Sequence, residues 1–264
     1  MVIKDKVCAW FMRNILLPRV EIIDNPGFVI CKFAPHKRVT LRDIFIGESS
    51  LQNLENSMKS YQKILYGIGK KFGHIYASIS TLPQISETSK KEFLKFANWM
   101  VRYIETLYAS KLSHKADCDN KIFEIKMYDY IICRKNGLGY LFSTGGIAGI
   151  WAYVVEDKTV EAVQPKCQGR GDEECKVIAA PYKTLVKMGY KPMRCTKLET
   201  LELDKEYGQF NQIRPTKWAK QSLKDLIDSG FFKYRHGQVT YQKERFFLCE
   251  ASFMYVLEKE FYLF

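Results

Sequence analysis

Thr159-Val-Glu-Ala-Val-Gln-Pro-Lys-Cys167-Gln-Gly-Arg-Gly-Asp-Glu-Glu-Cys175-Lys-Val-Ile-Ala179 reads as two short strands, 159–163 and 175–179, joined by a loop whose glycines let it fold back. The stretch 144–155 just before it is short, apolar and rich in small residues, which predicts a buried helix. Upstream, Lys121-Ile-Phe-Glu-Ile-Lys-Met-Tyr-Asp-Tyr-Ile-Ile-Cys-Arg134 is β-branched and aromatic and ends at Lys135-Asn-Gly137, a strand followed by a turn. Residues 90–110 read as a helix opened by the capping box Ser89-Lys-Lys-Glu92, with Phe93, Phe96, Met100, Tyr103, Ile104, Leu107 and Tyr108 along one face. A longer helical pattern covers about 40–72, and residues 19–34 read as two strands around Asn25-Pro-Gly27. Helices and hairpins are segregated, without regular β-α-β alternation. The expected class is therefore α+β, helices packed on an antiparallel sheet.

Near its end the chain repeats an earlier theme. Leu226-Ile-Asp-Ser-Gly-Phe-Phe resembles Ile22-Ile-Asp-Asn-Pro-Gly-Phe, and Phe246-Phe-Leu-Cys-Glu-Ala-Ser resembles Ile44-Phe-Ile-Gly-Glu-Ser-Ser, so Glu250 matches Glu48. This divides the chain into residues 1–181 and a C-terminal extension, 182–264, that reads as the start of a second copy. A half-unit cannot bury the apolar face of Phe253, Met254, Val256 and Leu257 by itself. It must pack on the first unit, on a partner chain or on further sequence.

Among 264 residues, 41 Lys and Arg stand against 29 Asp and Glu, for a net +12. The excess is spread out: residues 181–264 carry 15 basic and 10 acidic side chains, and no basic arm stands out. Nucleic acid is thus an allowed partner but not the favoured one. The longest uninterrupted apolar stretch, 145–155, is far shorter than the roughly 20 residues a membrane-spanning helix needs. No secretory signal is visible, and the expectation is a cytoplasmic protein whose eight cysteines are reduced core thiols or metal ligands.

Chemistry-bearing motifs are few. Gly137-Leu-Gly139 lacks the third glycine of a dinucleotide fingerprint, and the four histidines (His36, His74, His114, His236) are scattered. No nucleophile motif, carboxylate pair or phosphate loop suggests an enzyme, and no catalytic residue is assigned. The Cys167/Cys175 pair remains. Its glycine-bearing loop can turn both sulfurs to one spot, where a four-coordinate zinc would need two further ligands. Two reduced thiols packed side by side is the plainer alternative.

With those residues in view, Ser143-Thr-Gly-Gly-Ile-Ala-Gly-Ile-Trp-Ala-Tyr-Val, Val160-Glu-Ala-Val-Gln-Pro-Lys-Cys and Gly171-Asp-Glu-Glu-Cys-Lys-Val resemble the vinyl-4-reductase domain. The resemblance implies a ligand-binding fold related to nitric-oxide-sensing haem domains and TRAPP subunits, and an intracellular sensor with an apolar pocket. In some members a Cys, a Glu and the two loop cysteines bind zinc. Cys167 and Cys175 match the last two, Gln164 stands where the carboxylate would be, and the nearest upstream thiol is Cys133. The expected site therefore has Cys133, Cys167 and Cys175 as metal ligands, with zinc as the cofactor they would take. Phe93, Phe96, Trp99, Tyr103, Trp151 and Tyr153 are expected to line a pocket for a hydrophobic small molecule. The rival readings are a scaffold that forms a homodimer through its C-terminal half-repeat and a basic nucleic-acid-associated regulator.

Overall fold

The computed structural model describes residues 7, 10–22, 28–30, 42–80, 82–195, 221–235, 237–250 and 252–262; at 21–22, 28–30, 42–43, 96, 99–100, 102–107 and 261–262 the backbone alone is described. The fold is α+β, with helices and two antiparallel sheets. The four-stranded sheet has the order β4-β5-β7-β6, from β4 (Lys111–Asp117), β5 (Ile122–Tyr128), β6 (Val160–Lys166) and β7 (Cys175–Pro181). The seven-stranded sheet has the order β8-β1-β2-β3-β11-β10-β9. Its N-terminal members are β1 (Glu21–Ile22), β2 (Phe28–Ile30) and β3 (Arg42–Gly47). Its C-terminal members are β8 (Gln221–Ser222), β9 (Lys233–Arg235), β10 (Gln238–Tyr241) and β11 (Glu244–Glu250).

The helices are α1 (Glu48–Ser57), α2 (Gln62–Ile79), α3 (Lys90–Tyr108), α4 (Tyr140–Val154), α5 (Tyr182–Lys187), α6 (Leu223–Asp228) and α7 (Ser252–Tyr262). At the start of α3 the Ser89 hydroxyl accepts from the Glu92 amide at 3.3 Å and donates to the Glu92 carboxylate at 2.8 Å, satisfying groups a free helix end leaves open. Helix α4 is apolar around nearly its whole circumference, the mark of a helix with neighbours on most sides. It lies between β6 and β7 on one side and α2 on the other. Its N-terminus receives the Glu55 carboxylate of α1, which accepts from the Leu141 amide at 2.9 Å at the positive end of the helix dipole.

Helices α2 and α4 meet backbone to backbone. Gly69 and Gly73 on α2 face Gly145 and Gly149 on α4, each pair four residues apart and therefore on one helical face. A methyl at Gly73 would sit 2.0 Å from the Gly146 carbonyl oxygen, and one at Gly149 2.0 Å from that of Lys70. Beside the crossing, the fully buried Lys70 ammonium pairs with Glu161 of β6 at 2.8 Å. Tyr66 donates to the other Glu161 oxygen at 2.9 Å and accepts from the Ala162 amide at 2.8 Å, and the Cys195 amide completes the carboxylate's shell at 2.9 Å. The charge is thus buried with its partners, the condition for tolerating it.

The structure revises three local expectations. The helical pattern over 40–72 begins as strand β3, because Arg42–Gly47 lies between β2 and β11 and the ladder overrides the helical spacing of Ile44 and Leu51. A short 59–61 turn then separates α1 from α2. Strand β4 was not anticipated, since Lys111–Asp117 alternates with only Leu112 and Ala116 as apolar inward residues. The segment 121–134 is strand only to Tyr128, and continues as a loop that carries Tyr130 to Cys133 into the interior.

Of the repeated stretches, the 44–50 and 246–252 pair is alike in structure: each is a strand running toward a helix, and β3 and β11 pair antiparallel at the centre of the larger sheet. The earlier pair is not alike, as Ile22 lies in a strand and Leu226 in α6. Residues 23–27 and 31–41 lie outside the described residues. The apolar face of α7 packs on the first unit only in part, and Met254 stays exposed. Phe253 and Val256 are buried, and Phe253 meets Phe142 of α4 edge-on at 4.7 Å.

Glycine substitutions separate this crossing from mere helix composition. Gly145→Ala and Gly149→Ala force a methyl into backbone and should each cost at least about 2 kcal/mol. Gly146→Ala, whose nearest neighbour is 3.8 Å away, should stay within about 1 kcal/mol of wild type, since alanine is the better helix former. Denaturant unfolding measures all three, and equal effects would contradict the close approach.

Candidate functional site

A cavity of about 180 Å³ lies among α2, α3, α4, the inner face of the four-stranded sheet and the end of β11. The sheet contributes Phe123, Ile125 and Met127, which alternate along β5 and so share one face. Trp151 of α4 stacks on Phe123 with ring centroids 5.2 Å apart, meets Phe93 of α3 at 6.0 Å, and donates its indole N–H to the Lys121 carbonyl at 2.9 Å. With that donor satisfied, the ring offers the cavity an apolar surface. Polar groups on the wall are few, among them Ser143, Tyr130 and the buried Glu250, whose carboxylate accepts from the Ser252 amide at 3.0 Å.

Among the expected pocket residues, Phe93 and Trp151 line this cavity. Tyr153 does not. Two residues beyond Trp151 on an α-helix, it points to the opposite side and packs edge-on against His74, 5.4 Å between centroids. The side chains of Phe96, Trp99 and Tyr103 lie outside the described residues. Reading the sequence did not assign Phe247, Cys249 or Glu250 of β11 to the wall, because a strand 120 or more residues away has no local signal pointing to β5. The alternation of Phe123, Ile125 and Met127 could have been read.

Beside the cavity, three thiols meet. The sulfurs of Cys133, Cys167 and Cys175 lie within 4.8 Å of one another, and all three residues are buried. Cys133 comes from the loop after β5, Cys167 follows β6 and Cys175 opens β7. The loop turns tightly because the Cys167 carbonyl accepts from the Arg170 amide at 2.9 Å and from the Asp172 amide at 3.2 Å, while the Asp172 carboxylate accepts from the Cys167 amide at 2.7 Å. Gly169 fits against the 133–137 loop where nothing larger would: a methyl there would be 2.0 Å from the Cys133 carbonyl oxygen.

The donor set fits a thiophilic ion. Cys133 Sγ and Cys175 Sγ are 3.7 Å apart. Tetrahedral zinc with Zn–S bonds of about 2.3 Å holds its sulfurs roughly 3.8 Å apart. The thiols also polarise one another: hydrogen bonds from Cys133 and Cys175 drive the Cys167 thiol well below its ordinary value, and the same contacts drive Cys133 up.

The loop 129–134 joins cavity, thiols and the larger sheet. Tyr130 and Ile132 line the cavity and Cys133 joins the sulfurs. Arg134 pairs with the fully buried Glu48 at 3.0 Å and with Asp129 at 3.3 Å. Asp129 in turn holds Arg245 of β11 at 2.8 Å and accepts from Gln238 of β10 at 3.2 Å.

No family model matches the chain, and no curated protein matches it. Among solved structures it is similar to the phenol-responsive sensory domain of the transcription activator PoxR, in its crystal structure with phenol. The TM-score is 0.45 at 13% identity, over 73% of this chain and 100% of that one.

Asp129 has positive φ, a conformation asparagine also tolerates. Asp129→Asn therefore keeps the backbone and removes the charge facing Arg245. It should lower stability by about 1–3 kcal/mol, the loss expected when one partner of a partly buried pair is removed. Urea unfolding gives the value, and a change below about 0.3 kcal/mol would remove the pair's role in holding the loop to the sheet.

Proposed function

We propose that this chain is a non-enzymatic binding or sensing unit for a small hydrophobic molecule, of the kind its vinyl-4-reductase resemblance implies. The observation that carries the reading is the cavity of about 180 Å³, walled by aromatic and aliphatic side chains from four helices and both sheets. An engineered cavity of about 150 Å³ with similar walls takes up benzene. By size, the occupant here is a molecule of one ring or its aliphatic equivalent. Burial of its apolar surface would supply the affinity, and the few polar wall groups would orient at most one or two polar atoms.

The three thiols are proposed to hold zinc. Bound there, the ion would fasten the β6–β7 hairpin to the 129–134 loop, so that Tyr130 and Ile132 keep their places in the cavity wall. A dimerising scaffold is less well supported, because Phe253 and Val256 of α7 are already covered within the chain and, of the four face residues, Met254 alone is largely exposed.

Ala97 of α3 lines the cavity, and Ala97→Phe adds a ring to its interior. Calorimetric titration with benzene, toluene and indole should show saturable binding by the wild-type chain. The Ala97→Phe variant should be weakened at least tenfold, with no loss of melting temperature. Absence of saturable binding by all three compounds, or undiminished binding by Ala97→Phe, would contradict the reading.

A further inference from the structure

We infer that Gln164 supplies the fourth donor of the thiol site, its side-chain oxygen turning toward the three sulfurs when a divalent ion enters. The inference rests on the reading of Cys133, Cys167 and Cys175 as a metal site. Among the described residues, no His, Asp, Glu or further Cys joins that group. Three sulfurs leave one corner of a tetrahedral ion open. Gln164 is buried, and its amide nitrogen lies 3.3 Å from Cys133 Sγ.

Its position follows from strand geometry. Val160, Ala162 and Gln164 share the inward face of β6 by simple alternation. Continued alternation would turn Cys167 outward. The register against β7 shifts between Val163 and Lys166, however, at the segment containing Pro165, which has no N–H to give the ladder. The extra residue resets the alternation, and both Gln164 and Cys167 are buried. Arg170 then fixes the Gln164 main chain by donating to its carbonyl at 2.8 Å.

The amide can present either end. In the structure Thr144 Oγ1 donates to Gln164 Oε1 at 3.4 Å, and the nitrogen faces the thiol. A half-turn about the last side-chain bond exchanges oxygen for nitrogen at nearly unchanged volume. Thr144 keeps its bond through the turn, because a hydroxyl accepts as well as donates. Three thiolates and a neutral amide around a divalent ion leave a single negative charge, against two with a carboxylate. A buried site holds the smaller charge at lower desolvation cost, and the Arg170 guanidinium on the Gln164 carbonyl offsets it.

Cobalt(II), a coloured substitute for zinc, tests this in the reduced full chain. The wild type should bind one ion per chain, with thiolate-to-metal charge-transfer absorption and the intense visible bands of a four-coordinate site. Gln164→Ala should keep the charge-transfer band, shift the visible bands as water replaces the amide, and weaken affinity about tenfold or more in chelator competition. Gln164→Glu, equal in size, should restore a fourth protein donor and shift the same visible bands, with metal-free folding checked by circular dichroism. If both variants match the wild type in visible spectrum and affinity, the amide is not a donor while the thiol site stands. If the wild-type chain binds no cobalt(II), the thiol site and this inference fall together.

Discussion

The contact on which the rest depends is the backbone-to-backbone crossing of α2 and α4. Where Gly69 and Gly73 meet Gly145 and Gly149, no side chain separates the helices. Ordinary helix packing keeps axes about 8–10 Å apart because side chains fill the gap. Removing them pulls α2 onto α4 and brings Tyr66 and Lys70 within reach of Glu161 on β6. The free side of α4 can then turn Trp151 and Ile150 toward β5 and α3, and the space that remains is the cavity. A void of this size costs stability, because its walls forgo packing. A space of this size and apolar lining is the physical reason to look for an occupant.

The cavity wall is shared between parts of the chain far apart in sequence. Strand β11 enters the larger sheet beside β3 and delivers Phe247, Cys249 and Glu250 to the same space that β5 and α4 enclose. Asp129 and Arg134, in the loop that also carries Cys133, hold that strand and the buried Glu48 by charge. The 129–134 loop thus contacts the cavity wall, the thiol cluster and the larger sheet at once.

How much could be read from the chain follows from how local each signal was. The β6–β7 hairpin was legible because Val160 to Val163 and Cys175 to Ala179 are β-formers on either side of a glycine-bearing loop. Helix α4 was legible from its uninterrupted apolar run. Strand β3 was hidden because Ile44 and Leu51, seven apart, also fit a helix, and only its ladder with β11 decides the matter. Strand β4 was hidden by its lysines, which on an edge strand guard against further pairing. At the site, the Cys167/Cys175 spacing carried information by itself. That Cys133 joins them depends on a loop whose course no periodicity records, and the role of Gln164 depends on a strand irregularity that only pairing reveals.

The central claim is that the space between α3, α4 and β5 is a binding cavity rather than a packing defect that closes in solution. Crystals exposed to xenon under pressure test it most directly, since xenon enters dry apolar cavities without needing a polar contact. The account predicts an ordered xenon atom in contact with Trp151, Phe93 and Ile125. Those side chains in van der Waals contact with one another, with no xenon between them, would contradict it.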